Sequence, residues 1–184
     1  MKKTLLIVFA LVFAVASNVF ATDAISIIMN RKSVRNYERG KISDKDLDTI
    51  IKAGFAAPSA RDIRPWSFVV VDDFSVLDSL SKTFSHLKTA GAAIIICGKT
   101  DENLFWITDC SAAAENILLA VESLGLGAVW MAAFPSEERI KAVRTILNVP
   151  NEYTPLCVIP IGKSKGINKP KNKYDDKKLH RNRW

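Results

Sequence analysis

The chain has 184 residues, 48% hydrophobic and 24% charged, with a formal net charge of +7. That balance fits one globular domain with a sizeable core and excludes a disordered chain. Cys97, Cys110 and Cys157 are odd in number and cannot all pair within a monomer. Their apolar or helical settings, without CxxC spacing, favour buried free thiols over a metal site or a catalytic cysteine.

The N-terminus reads as a secretion signal. Lys2 and Lys3 form a basic start, Leu5 to Ala16 an apolar run, and Val19-Phe20-Ala21 offers small residues for cleavage after Ala21. The run is shorter than the ~20 residues a spanning helix needs, so the expectation is a periplasmic protein without stable membrane insertion; an uncleaved anchor is the lesser alternative. Residues 22–184 are then one domain, with 162–184 as a C-terminal arm.

Asp23 can cap a short helix carrying Ile25, Ile28 and Met29. Arg31-Lys32-Ser33-Val34-Arg35 follows. In an extended segment Arg31, Ser33 and Arg35 would point to one side and converge on an anion-binding surface, the alternative being charges that are merely solvated. Ser43 opens a helix with Asp44 and Asp46 in its first turn and Leu47, Ile50, Ile51 and Phe55 on its buried face. Pro58 ends it. In the connection that follows, Ser59 and Ala60 leave backbone amides accessible to a ligand, unless the segment is an ordinary connecting loop, and Pro65 biases Arg64 toward an extended conformation.

Trp66 to Val71 reads as a strand whose run Phe68-Val69-Val70-Val71 suggests burial on both faces. A helix from Ser75, a core strand Ala92 to Cys97 and a long helical pattern from Asp101 to Leu124 come next. His86 lacks neighbours at ligand spacing and reads as structural or solvent-facing. The small residues Ala112, Ala113 and Ala114 require close packing against another helix, from a symmetric partner or from the chain's own core. Gly125 suits a left-handed cap, and Gly127 a close approach of backbone or ligand. The two glycines follow a helix and precede a strand, the reverse of the dinucleotide-binding order. Ala128 to Phe134, a helix from Ser136 to Pro150 and a strand Pro155 to Ile161 complete the domain, and Gly162 releases the chain. These elements predict an α+β fold, a sheet flanked by helices.

The arm carries Lys163, Lys165, Lys169, Lys171, Lys173, Lys177, Lys178, Arg181 and Arg183 against Asp175 and Asp176. Interleaved aromatics are sparse and exported proteins seldom meet nucleic acid, so a phosphate on a small ligand is the sharper reading. The terminal Trp184 suits a partner surface better than water.

Four stretches, in this order, resemble the nitroreductase family of FMN-dependent oxidoreductases. They are Arg31 to Arg35, Pro58-Ser59-Ala60-Arg61-Asp62-Ile63-Arg64-Pro65-Trp66, Gly125-Leu126-Gly127-Ala128-Val129-Trp130-Met131, and the tail from Pro170 to Trp184. The resemblance covers essentially all of residues 22–184. It implies a central, mostly antiparallel sheet flanked by helices, and a homodimer with FMN at the interface and the arm laid on the other subunit. It further implies that Arg31, Lys32, Ser33 and Arg35, with Lys171 and Lys173, hold FMN through its phosphate and polar edge. Pro58, Ser59, Ala60 and Asp62 would border the flavin from the second subunit, and Ala132 and Ala133 would bring backbone amides to its ring edge. The family often has Asn and Gln where this chain has Asp62 and Arg64. The implied reaction carries two electrons from NAD(P)H through FMN to a nitroaromatic, quinone or similar acceptor, with no catalytic side chain of the protein's own. Export would remove the protein from cytoplasmic nicotinamide, so an exported FMN-binding protein without nicotinamide-dependent turnover is the alternative.

Overall fold

The computed structural model describes residues 24–101 and 104–184, so the secretion signal expected over residues 1–21 and the cap Asp23 lie outside the described residues. Five α-helices are described: α1 (Ala24–Asn30), α2 (Asp44–Phe55), α3 (Phe74–Ser81), α4 (Trp106–Ser123) and α5 (Glu137–Leu147). Six strands form one sheet: β1 (Tyr37–Glu38), β2 (Trp66–Val71), β3 (Ala92–Lys99), β4 (Gly127–Ala128), β5 (Met131–Ala132) and β6 (Tyr153–Ser164).

All the strand pairs are antiparallel. β6 is central, with β3 then β2 on one side and β1, β4 and β5 sharing the other. β3 is buried from Ala92 to Gly98, and its alternate side chains enter two cores. Ile94 and Ile96 pack with Ile50, Trp106 and Ile117 of α2 and α4, whereas Ala93, Ile95 and Cys97 pack with Leu77, Leu80 and Val143 of α3 and α5. The period of two thus builds a helix–sheet–helix sandwich, and each fully buried Ile contributes about 1.5–3 kcal/mol by leaving water.

Caps set the helix starts. The Ser43 side chain accepts the Asp46 N–H at 3.1 Å, and Asp73 accepts those of Ser75 and Val76 at 2.7 and 3.3 Å. Asp73 therefore places the start of α3 at Phe74, one residue before the expected Ser75. The close packing required by the alanines of α4 is met within the chain. A Cβ on Gly54 of α2 would stand 2.9 Å from Ile117 Cδ1, and Asn116 Nδ2 donates to Ala53 O at 3.0 Å.

Two strand expectations need refinement. β2 is the sheet edge; Phe68 packs in the core of α2 and α4 and Val69 and Val71 in that of α3 and α5, so the run is covered on both faces except at Val70, which is 41% exposed. β6 continues through Gly162 to Ser164, because at Gly162 a Cβ would stand 2.8 Å from the Tyr37 Cβ. Glycine there admits β1 to the sheet instead of releasing the chain. The expected strand Ala128 to Phe134 exists as β4 and β5, which share one register on β6 with Val129 and Trp130 between them.

Candidate functional site

The basic stretch is held extended beside β4. Val34 is buried and its N–H donates to Ala128 O at 2.8 Å, while Ser33 and Arg35 on either side are exposed. Gly127 permits this approach, since a Cβ there would stand 2.7 Å from the Val34 Cβ. Tyr37 anchors the far end, its buried hydroxyl donating to Val34 O, and burial pushes that hydroxyl well above the usual phenol range.

The tail returns to the same place for a topological reason. β6 pairs antiparallel with β1, and Lys165 N–H donates to Asn36 O at 3.0 Å, so the chain leaves the sheet running back along residues 31–37. Asn168 Nδ2 donates to Ser164 Oγ at 2.7 Å and fixes the departure. Lys169, Lys171 and Lys173 then follow at every second position. With Arg31, Lys32, Ser33 and Arg35 they line one pocket of about 180 Å³. Its walls offer cations and one hydroxyl and no carboxylate. Two carboxylates of α4 stand behind it: Glu115 forms an ion pair with Arg31 Nε at 3.0 Å, and Glu122 accepts from Lys32 Nζ at 2.6 Å.

This donor set fits a phosphate monoester, which carries about −1.5 to −2 charges near neutral pH and accepts charge-assisted hydrogen bonds. All six predicted anion-site residues, Arg31, Lys32, Ser33, Arg35, Lys171 and Lys173, are brought together. Lys169 was missed, although its place two residues before Lys171 was the available signal. Glu115 and Glu122 were missed because their role depends on how α4 packs.

The second predicted group lies apart from this pocket. Ser59 precedes a 3-10 turn, Ala60–Asp62, in which Arg61, Asp62 and nearby Arg64 have φ of 54°, 57° and 55°. Arg64 is therefore left-handed, not extended. Its N–H donates to Ser59 Oγ at 3.0 Å, and its guanidinium grips both Asp62 oxygens, which holds that carboxyl below its usual range. The Ala60 amide is also not open to a ligand, since it donates to Asp109 Oδ1 at 3.1 Å. Asp109, buried on α4, ties the turn to the core and was not singled out in the sequence.

Ala132 and Ala133 differ from each other. Ala133 is fully buried and its N–H donates to Leu156 O at 2.9 Å, so this amide belongs to the sheet and cannot serve a ligand. Antiparallel alternation then turns the N–H of the exposed Ala132 away from β6. Arg139 Nη1 donates to Ala132 O at 2.8 Å and fixes that peptide.

The three thiols are buried and unpaired with one another, as expected, and burial pushes Cys97 and Cys110 up to about 12 and Cys157 well above the usual thiol range. His86 is half-buried in the 3-10 turn Ser85–Thr89. Among the described residues no helix is long and apolar enough to cross a membrane.

The architecture and the sequence point to one family. The model of the Nitroreductase family matches residues 28–93 and 74–163. A protein of Archaeoglobus fulgidus, provisionally named NADH dehydrogenase/NAD(P)H nitroreductase, is 37% identical over 88% of this chain and 99% of its own. A crystal structure of a protein from Bacteroides thetaiotaomicron with the same provisional name superposes at a TM-score of 0.85, with 47% identity, covering 88% of this chain and 98% of that one. An FMN-dependent nitroreductase of Clostridium difficile superposes at 0.82, with 36% identity, over 87% of this chain and 99% of its own. The chain belongs to the nitroreductase family. By that membership it is an oxidoreductase.

Proposed function

We propose that the protein binds FMN and carries two electrons from NAD(P)H to a small acceptor such as a nitroaromatic or a quinone. The observation that carries this reading is the pocket itself: seven side chains from two distant parts of the sequence meet in a cavity lined by cations and one serine. The names of the relatives, FMN-dependent nitroreductase among them, agree with it.

The chain's own residues have defined tasks in this scheme. Arg31, Lys32, Ser33, Arg35, Lys169, Lys171 and Lys173 would hold the phosphate. At about 180 Å³ the pocket suits a phosphate and not a tricyclic ring, so the rest of the ligand must extend onto an open surface. The outward amide of Ala132 is suited to donate to a ring edge. FMN, when bound, supplies the redox chemistry, taking up an electron pair and passing it on. No acid or base of the protein is required for that, which is consistent with the buried, undissociated thiols.

A homodimer is part of the proposal. α1 buries none of its residues, yet Ile25, Ile28 and Met29 are 62%, 50% and 70% exposed. Beside it an apolar groove of about 310 Å³ is lined by Ile27, Ile28, Ala53, Ala56, Leu119 and Ala120, among others. A second subunit covering this face would bring its Pro58 to Asp62 turn to a flavin that the chain's own turn does not reach, and would receive the exposed arm.

The test is FMN retention. The purified protein, reconstituted with FMN and desalted, should keep flavin bands near ~450 nm. Lys171→Ala with Lys173→Ala should weaken binding by about 1–3 kcal/mol for each charged hydrogen bond lost. Wild-type protein that stays colourless after reconstitution contradicts the reading, and unchanged affinity in the double variant removes the tail from the site.

A further inference from the structure

Gathering six cations around one small pocket creates a problem before any anion arrives. Like charges repel, and a lysine on its flexible four-carbon stem turns to solvent unless something holds it. Two carboxylates seven residues apart on α4 lie where they can hold the first two cations. Glu122 accepts from Lys32 Nζ at 2.6 Å with side-chain exposures of 15% and 25%, unlike the open surface pair Lys163–Glu38, at 74% and 52%. Exposed pairs contribute little, whereas this half-buried pair fixes a rotamer.

We propose that Glu122, with the more exposed Glu115 as a weaker second, is a positioning residue for the anion pocket, acting through Lys32 and Arg31. The geometry supports this atom by atom. An ammonium that gives one N–H to Glu122 keeps others for the ligand. The nearest approach of Glu115 to Arg31 is at Nε, 3.0 Å, on the edge of the guanidinium rather than at its terminal fork. Both carboxylates stand behind the cations and neither lines the pocket. They therefore offset repulsion among the cations without presenting negative charge to the phosphate. Arg35, Lys169, Lys171 and Lys173, which also line the pocket, supply the attraction. This role rests on the reading of the pocket as a phosphate site.

A double-mutant cycle tests it, with FMN and riboflavin titrated calorimetrically into wild type, Glu122→Ala, Lys32→Ala and the double variant. Riboflavin lacks the phosphate and reports any general damage. Glu122→Ala is expected to lower FMN affinity about tenfold while leaving riboflavin unchanged. In the Lys32→Ala background it should add less than about twofold, because Glu122 acts through that lysine. Glu122→Gln should lose less, since its amide oxygen still accepts from Lys32. Equal losses for both flavins, a full further loss in the Lys32→Ala background, or tighter FMN binding by Glu122→Ala would each overturn the proposal. If Glu122→Ala does not fold, Glu122→Gln carries the same cycle. Wild type that binds neither flavin overturns the functional reading. The cycle repeated with inorganic phosphate then decides the positioning role separately: a non-additive loss supports it, and additive losses or no phosphate binding overturn it.

Discussion

Three thiols that the site does not use still shape how the protein responds to pH. Desolvation raises Cys97 and Cys110 from an ordinary value of 9.0 to about 12, and raises Cys157 well above 9.0 too. Above about pH 9 the unfolded chain releases thiol protons that the folded chain keeps, so stability present below that pH is lost as pH climbs toward 12. Urea unfolding at a series of pH values should show this decline, and Cys97→Ala with Cys110→Ala should make it shallower. A slope identical in wild type and variant would contradict the assignment. The burial of these residues was legible from their apolar runs. The left-handed backbone of Arg61, Asp62 and Arg64 was not, because residues of these types seldom adopt it. Of what holds it there, the Arg64 grip on Asp62 is local, but the Asp109 anchor of Ala60 exists only once α4 has packed.

Elements were more legible than their surroundings. Trp66 to Val71 is a strand over the span its composition predicted, and Ser43 caps α2 through its hydroxyl. What sequence could not reveal was position in the sheet. The valine run of β2 looked doubly buried, yet edge placement exposes Val70, since β-branched residues suit either setting. The anion stretch was legible because alternation is a local property, and Val34 and Arg35 do face opposite ways. α1 poses the reverse case, an element whose apolar Ile25, Ile28 and Met29 suit a helix yet remain 62%, 50% and 70% exposed. Ile25→Asp with Met29→Asp touches no buried residue, so the fold should survive while the association is lost. Light scattering should give twice the chain mass for wild type and the single-chain mass for the variant. Wild type of single-chain mass contradicts the dimer, and a dimeric variant moves the interface away from α1.

At the scale of the whole molecule, topology explains the site. A central β6, paired on one side with β1 and continuing into the arm, folds the C-terminal lysines back upon residues near the N-terminus. The arm is otherwise exposed, from Lys171 to Trp184. A long, basic, exposed tail is costly to order alone, and both a bound phosphate and a partner surface would offset that cost. A functional secretion signal in residues 1–21 would separate the protein from cytoplasmic NAD(P)H. Anaerobic titration of the FMN-loaded protein with NADH and then NADPH, followed at the flavin band near ~450 nm, tests the central claim most directly. Prompt bleaching by either nucleotide, and return of the band on adding a quinone, is the result predicted for an NAD(P)H-dependent reductase. A band that persists through both additions would contradict it and leave a protein that binds FMN without nicotinamide-dependent turnover.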